Sequence, residues 1–236
     1  MGSLIVLCLY TKAKIDKEKY GLKPVYDGQL LIKVLNLSVW SMLHAFISVV
    51  PWFLFFVAIE HLGKTELAIS NITRSVSAIF FVIANSFAVT TGSLVSNAIG
   101  ARARNELFPI CHKVLKLGYA VGIPFVVVAL LCNRWIVSFY TDNELLIELA
   151  FAPFVVMLLN YTFALPGYVY LNAVGGTGKT KITFLFQVTT TCVYLVYLYW
   201  LSFCIKASLS LYLTAEYLFV ILLALQSIIH LKSKHY

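Results

Sequence analysis

The stretch that decides the fold is residues 149–173, LAFAPFVVMLLNYTFALPGYVYLNA, twenty-five positions without Asp, Glu, Lys or Arg. A hydrocarbon core about 30 Å thick is crossed by ~20 apolar residues in helix, because the interior offers no water to an open backbone. Working outward, five more runs meet or approach that length, at residues 34–59, 75–99, 114–132, 182–205 and 207–231. Residues 1–10 read as the end of a preceding helix. The composition agrees. At 236 residues the chain is 61% hydrophobic and 12% charged, with mean hydropathy +0.88. Globular proteins have roughly 45 to 50% apolar and 25% charged residues. An ordinary soluble enzyme and a disordered chain are both excluded, the second because disorder needs low hydrophobicity and high charge.

The predicted fold class is therefore all-α, a polytopic membrane helix bundle of six full transmembrane helices plus a partial N-terminal one. The net charge of +8 comes from short basic clusters between uncharged runs, a loop pattern that calls for no nucleic acid. Of the eighteen Lys and Arg, fourteen fall in one set of alternate loops, at residues 12–33, 102–116, 179–181 and 232–234; Lys64, Arg134 and Lys206 occupy the other set, and Arg74 lies inside a span. Positive loops stay cytoplasmic, so the segment 11–33 and the tail 232–236 are expected inside, in a cell membrane. The five cysteines show no CxxC or Cys/His spacing, and no metal site is expected.

Residues 173–180, AVGGTGKT, resemble a phosphate loop. That chemistry needs a strand leading into the loop and an acidic partner for magnesium. A 25-residue uncharged run is too long for a strand, so the reading preferred is a glycine-rich break between two membrane helices, anchored by Lys179 and Lys181. No nucleotide is expected.

Polar residues at membrane depth are costly and so are candidate functional groups. His44 lies midway along the first full span and suits either a proton-binding role or a hydrogen bond between helices. Asn85, Asn160, Tyr161 and Gln187 suit either an aqueous cavity or contacts between helices. Arg74 and Glu216 sit toward the outer ends of their helices, where snorkelling or mutual pairing would satisfy them. The substrate-binding candidates are His44, Asn85, Asn160, Tyr161, Gln187 and Glu216. Tyr194, Tyr197, Tyr199 and Trp200 read mostly as an interfacial aromatic belt. Pro51, Pro124, Pro153 and Pro166 fall inside spans and imply kinks, serving packing or a hinge.

Four junctions resemble the multidrug and toxic compound extrusion (MATE) family: residues 61–68 (HLGKTELA), 94–102 (LVSNAIGAR), 139–142 (FYTD) and 172–180 (NAVGGTGKT). The resemblance implies one lobe of a two-lobe transporter. Residues 1–10 would end helix six, 11–33 would be the cytoplasmic linker between lobes, 34–231 the six-helix C-terminal lobe and 232–236 a cytoplasmic tail. It implies a partner N-terminal six-helix lobe, alternating access, and export of amphipathic or cationic small molecules in exchange for protons or sodium, with no enzyme activity and no organic cofactor. Where some members carry a membrane-embedded acid on helices seven and ten, this chain has Ser48 and Ala164, which puts the coupling acid on the other lobe. A lipid-linked saccharide flippase of the same superfamily and a non-transporting membrane assembly subunit are the alternatives.

Overall fold

The computed structural model describes residues 27–205 and 208–233. Every regular element among them is helical: α1 (Gly28–Glu60), α2 (Lys64–Gly100), α3 (Leu107–Leu131), α4 (Asn133–Ser138), α5 (Glu144–Gly176), α6 (Thr180–Trp200) and α7 (Leu209–Ser233). A 3₁₀ turn, Arg104–Glu106, precedes α3, and a π turn, Leu201–Ile205, ends α6. Six of these helices are long and apolar enough to cross a membrane. The short α4 is the one helix that hydropathy does not foresee.

The chain divides into two compact units, residues 1–36 and 37–236. In the first, the described residues open α1 earlier than expected. Its helix begins at Gly28 rather than at residue 34, because Asp27 caps it: the carboxylate accepts from the Gln29 and Leu30 amides at 3.0 and 3.1 Å. Such a cap supplies acceptors to amides that have none inside the helix. The expected helix at 1–10 and most of the linker at 11–33 lie outside the described residues, as do positions 234–236 of the tail.

In the second unit α5 is the central helix, with α2 and α7 packed most extensively on it and α3, α4 and α6 also against it. The sequence explains this position, since α5 buries residues on all sides, from Ala150 and Phe154 through Leu165 and Val169 to Val174. Asn143 caps it by accepting from the Leu145 amide at 3.0 Å. The helices run past their apolar runs at most ends; α2, at 37 residues, is about 55 Å long at 1.5 Å per residue. Their outward surfaces carry large apolar side chains such as Phe46, Leu131 and Ile229, as a lipid-facing exterior requires.

The glycine-rich stretch forms the turn from α5 to α6. Gly176 is the last helical residue, and Gly178 takes a left-handed φ of +83°. Its amide donates to the Gly175 carbonyl at 2.9 Å. Gly176 also lets α5 touch α2, because a Cβ there would sit 2.5 Å from the Gly92 carbonyl oxygen. Ser96 seals the crossing with a hydrogen bond to the Gly176 carbonyl at 2.8 Å.

Candidate functional site: a buried charge pair and two cavities

At the α1–α2 end of the bundle, α2 and α7 bring two charges together below the surface. Arg74 lies ten residues into α2, about 15 Å along the axis. Its Nη2 donates to Glu216 Oε1 of α7 at 2.6 Å, with side chains 3% and 11% exposed. Tyr194 of α6 donates to the same oxygen at 3.3 Å. The guanidinium carbon stands 3.9 Å from the Phe55 ring, 4.6 Å from Trp52 and 5.3 Å from Phe56, all on α1. Its Nε and Nη1 have no hydrogen-bond partner among the described residues; the aromatic faces supply the compensation. The expected alternative of mutual pairing is the one realised. Glu216 is the only buried carboxylate among the described residues, and it is neutralised by an arginine.

Around this pair the helix faces are polar by periodicity. On α2, Ser70, Thr73, Arg74 and Ser77 are buried together; on α6, Gln187, Thr190, Thr191 and Tyr194 are. Spacings of three and four place each set on one helix face.

Two cavities flank α1. The larger, about 980 Å³, opens at the α1–α2 end among Leu54, His61, Glu66, Pro153, Phe203 and Tyr212, and its walls are mostly apolar. The π turn that ends α6 forms part of its wall, and such turns recur at functional sites. The smaller, about 230 Å³, lies at the α5–α6 end among Ser41, His44, Asn172, Gly175, Thr180 and Thr183. Among the described residues, no Lys or Arg lines either cavity.

The six candidate residues do not converge on one cavity. His44 lines the smaller one, with its Nε2 shielded and without a partner among the described residues. Glu216 is committed to Arg74. Tyr161 donates to the Gly118 carbonyl at 2.8 Å and stands edge-on to Phe80, tying α5 to α3 and α2. Asn160 is buried with Oδ1 unpaired among the described residues, Gln187 is buried on α6, and Asn85 is exposed in the middle of α2. Ser48 donates to the Ala45 carbonyl at 2.7 Å, and Ala164 is buried.

Sequence reasoning misses three features. Tyr194 is fully buried rather than part of the belt that exposed Tyr199 and Trp200 fit; its place in the 187, 190, 191, 194 polar face was the available signal. The Trp52, Phe55 and Phe56 cage carries no signal of its own, since aromatics abound throughout. The oxygens of Ser41, Asn172, Thr180 and Thr183 come from three helices and meet only in the fold.

The result is a bundle with six helices long and apolar enough to cross a membrane, packed around α5 and holding a buried charge pair between α2 and α7. The MatE family model matches residues 41–201, and the chain belongs to the MATE family. None of the curated proteins matches. Among solved structures, a MATE transporter in the bent conformation superposes with TM-score 0.74 at 17% identity, over 84% of this chain and 44% of that one. An outward-facing multidrug resistance MATE family transporter of the MOP superfamily gives 0.69 at 17% identity, over 87% and 46%. A MOP superfamily transporter from Pyrococcus furiosus, described as having a binding pocket of reverse polarity, gives 0.69 at 17% identity over 83% and 43%. The chain thus spans less than half the length of the structures it matches. These similarities establish the lobe's fold and a multi-pass membrane protein.

Proposed function

We infer that this chain works as the C-terminal half of a secondary active antiporter. Joined to an N-terminal six-helix lobe, it would export amphipathic or cationic small molecules by alternating access, driven by protons or sodium. The observation that carries this reading is the larger cavity. At about 980 Å³ it is at the upper end of the ~300 to 1,000 Å³ of small-molecule sites, and its mostly apolar wall bears Glu66, His61 and, among the described residues, no Lys or Arg. That charge pattern favours amphipathic cations over the phosphate-bearing lipids of a saccharide flippase. The loop charges support a cytoplasmic C-terminus in a cell membrane.

The neutralised state of Glu216 supports putting the coupling acid on the other lobe. A group that couples an ion gradient must bind and release the ion between access states, and a carboxylate already compensated at 2.6 Å has no net charge to offer a cation. The test of the substrate reading is Glu66→Gln in the joined transporter. Efflux of a lipophilic cation should weaken several-fold while efflux of a neutral analogue of equal size is unchanged. Equal loss for both, or no loss for either, would refute it.

A further inference from the structure

The short helix α4 hides one side and bares the other. Val137 is 1% exposed and Ile136 is half-buried, where α4 packs against α3 and α5. Leu131, Trp135 and Phe139, by contrast, are 79, 66 and 70% exposed. They share one face, because a spacing of four keeps helical register and the register carries across the break between α3 and α4. There the Cys132 amide donates to the Val128 carbonyl, and the Cys132 carbonyl accepts from the Ile136 amide, both at 2.9 Å. The Trp135 and Phe139 rings meet edge to face with centroids 4.6 Å apart. The two helices beside α4 bare apolar side chains next to it in sequence, Val127 and Val128 on α3 and Leu145 on α5.

Helix length sets the depth of this face. Lys113, near the start of α3, and Leu131, at its end, are separated by about 27 Å of helix at 1.5 Å per residue. A hydrocarbon core is about 30 Å thick. With the Lys113 ammonium at one head-group layer, Leu131 reaches the edge of the hydrocarbon at the other, and α4 falls in the boundary itself. Side chains with an apolar body and a polar tip suit that layer, tryptophan above all. Arg134 and Tyr140, both exposed, flank the face with groups that can reach lipid phosphates while their stems cover apolar surface. We propose that α4 is an interfacial anchor, seated in the head-group boundary of the leaflet at the α1–α2 end, with Leu131 and Phe139 toward the acyl chains and the Trp135 indole at the level of the lipid esters. Continuity with the lipid-facing sides of α3 and α5 favours the bilayer over a protein partner as the occupant of this face. The anchor fixes the depth of the turn from α3 to α5, and it holds whatever the lobe transports.

The test uses the full chain in phosphatidylcholine nanodiscs, with fluorotryptophan at its four tryptophan positions. The Trp135 fluorine resonance is assigned by its absence in Trp135→Phe, a change at an exposed position that keeps an aromatic ring. Four paramagnetic probes report depth: lipids carrying a nitroxide on the head group, at the top of the acyl chain or at its end, and a water-soluble gadolinium chelate. Trp135 should lose about twofold more intensity to the head-group and upper-chain labels than to the chain-end label or the chelate, as a boundary position requires. Phe139→Ser removes an apolar ring from the face and leaves Val137 packed; it should raise the loss to the chelate by about twofold, because less apolar surface then holds the face in lipid. The strongest loss to the chain-end label would put α4 in the hydrocarbon core, and the strongest loss to the chelate would put it in water. No loss to any probe would mean that protein covers the face, a second copy of this chain included. Each of these results overturns the proposal, as does a Trp135 profile unchanged by Phe139→Ser. None of them bears on the Glu66 efflux test, so the anchor and the export reading stand or fall separately.

Discussion

The Arg74–Glu216 pair predicts strongly non-additive mutational energetics. Both side chains are almost wholly withdrawn from solvent, at 3% and 11% exposure, and they meet at 2.6 Å. Glu216→Met leaves a buried guanidinium without a counterion; Arg74→Met leaves a buried carboxylate. Removing one member of a buried pair costs about 3–5 kcal/mol, whereas replacing both by apolar groups of similar volume is often neutral or stabilising. The aromatic cage should lower the cost of Glu216→Met, because three rings within 5.3 Å of the guanidinium carbon retain a cation–π attraction of about 2 kcal/mol when desolvated. The Arg74→Met change should therefore be the more damaging single substitution. The double variant should recover to within about 1 kcal/mol of the parent, a coupling beyond the ~0.5 kcal/mol expected of independent sites. The assay is reversible unfolding in mixtures of dodecyl sulfate and dodecyl maltoside, followed by circular dichroism for the parent, both single variants and the double. Additivity within about 0.5 kcal/mol would refute the claim that these charges compensate each other.

Three further outcomes are expected. Gly176→Ala should destabilise the lobe by roughly 1–3 kcal/mol, the range for overpacking, because the new Cβ would lie 2.5 Å from the Gly92 carbonyl oxygen; the same unfolding assay reads it, and an unchanged midpoint would contradict the close crossing. Lys179→Ala should leave transport by the joined protein nearly intact and ATP unbound in equilibrium dialysis, whereas saturable ATP binding abolished by the substitution would revive the phosphate-loop reading. A cysteine placed at position 17 should be shielded from an impermeant thiol reagent in intact cells and one at position 64 should react; labelling of position 17 from outside would reverse the orientation.

The spans were legible because bilayer thickness imposes a length on every crossing, and a 25-residue uncharged run has one economical solution. Helix ends were less legible. Asp27 and Asn143 start α1 and α5 through capping bonds outside the apolar run, and α4 is too short to register in a hydropathy window. Pairing of Arg74 with Glu216 is one option the sequence offers, because two opposite charges toward the outer ends of separate spans have few other ways to be satisfied. The site was less legible. Tyr161 faces α3 and Asn85 faces outward, and no periodicity in an all-round apolar helix such as α5 says which polar side chain meets a cavity. The smaller cavity draws its oxygens from α1, α5 and α6, and only the crossing of those helices assembles them.

We infer that this lobe carries a compensated carboxylate and takes its drive from an acid on the other lobe. The direct measurement is efflux from proteoliposomes holding the joined two-lobe transporter under imposed proton and sodium gradients, comparing the parent with Glu216→Gln, His44→Ala and removal of the N-terminal lobe's membrane-embedded acid. Per correctly inserted molecule, the first two should retain gradient-driven export at a modestly reduced rate, and the third should abolish it. Elimination of export by either Glu216→Gln or His44→Ala in a correctly inserted protein would place the coupling site in this lobe and contradict the account.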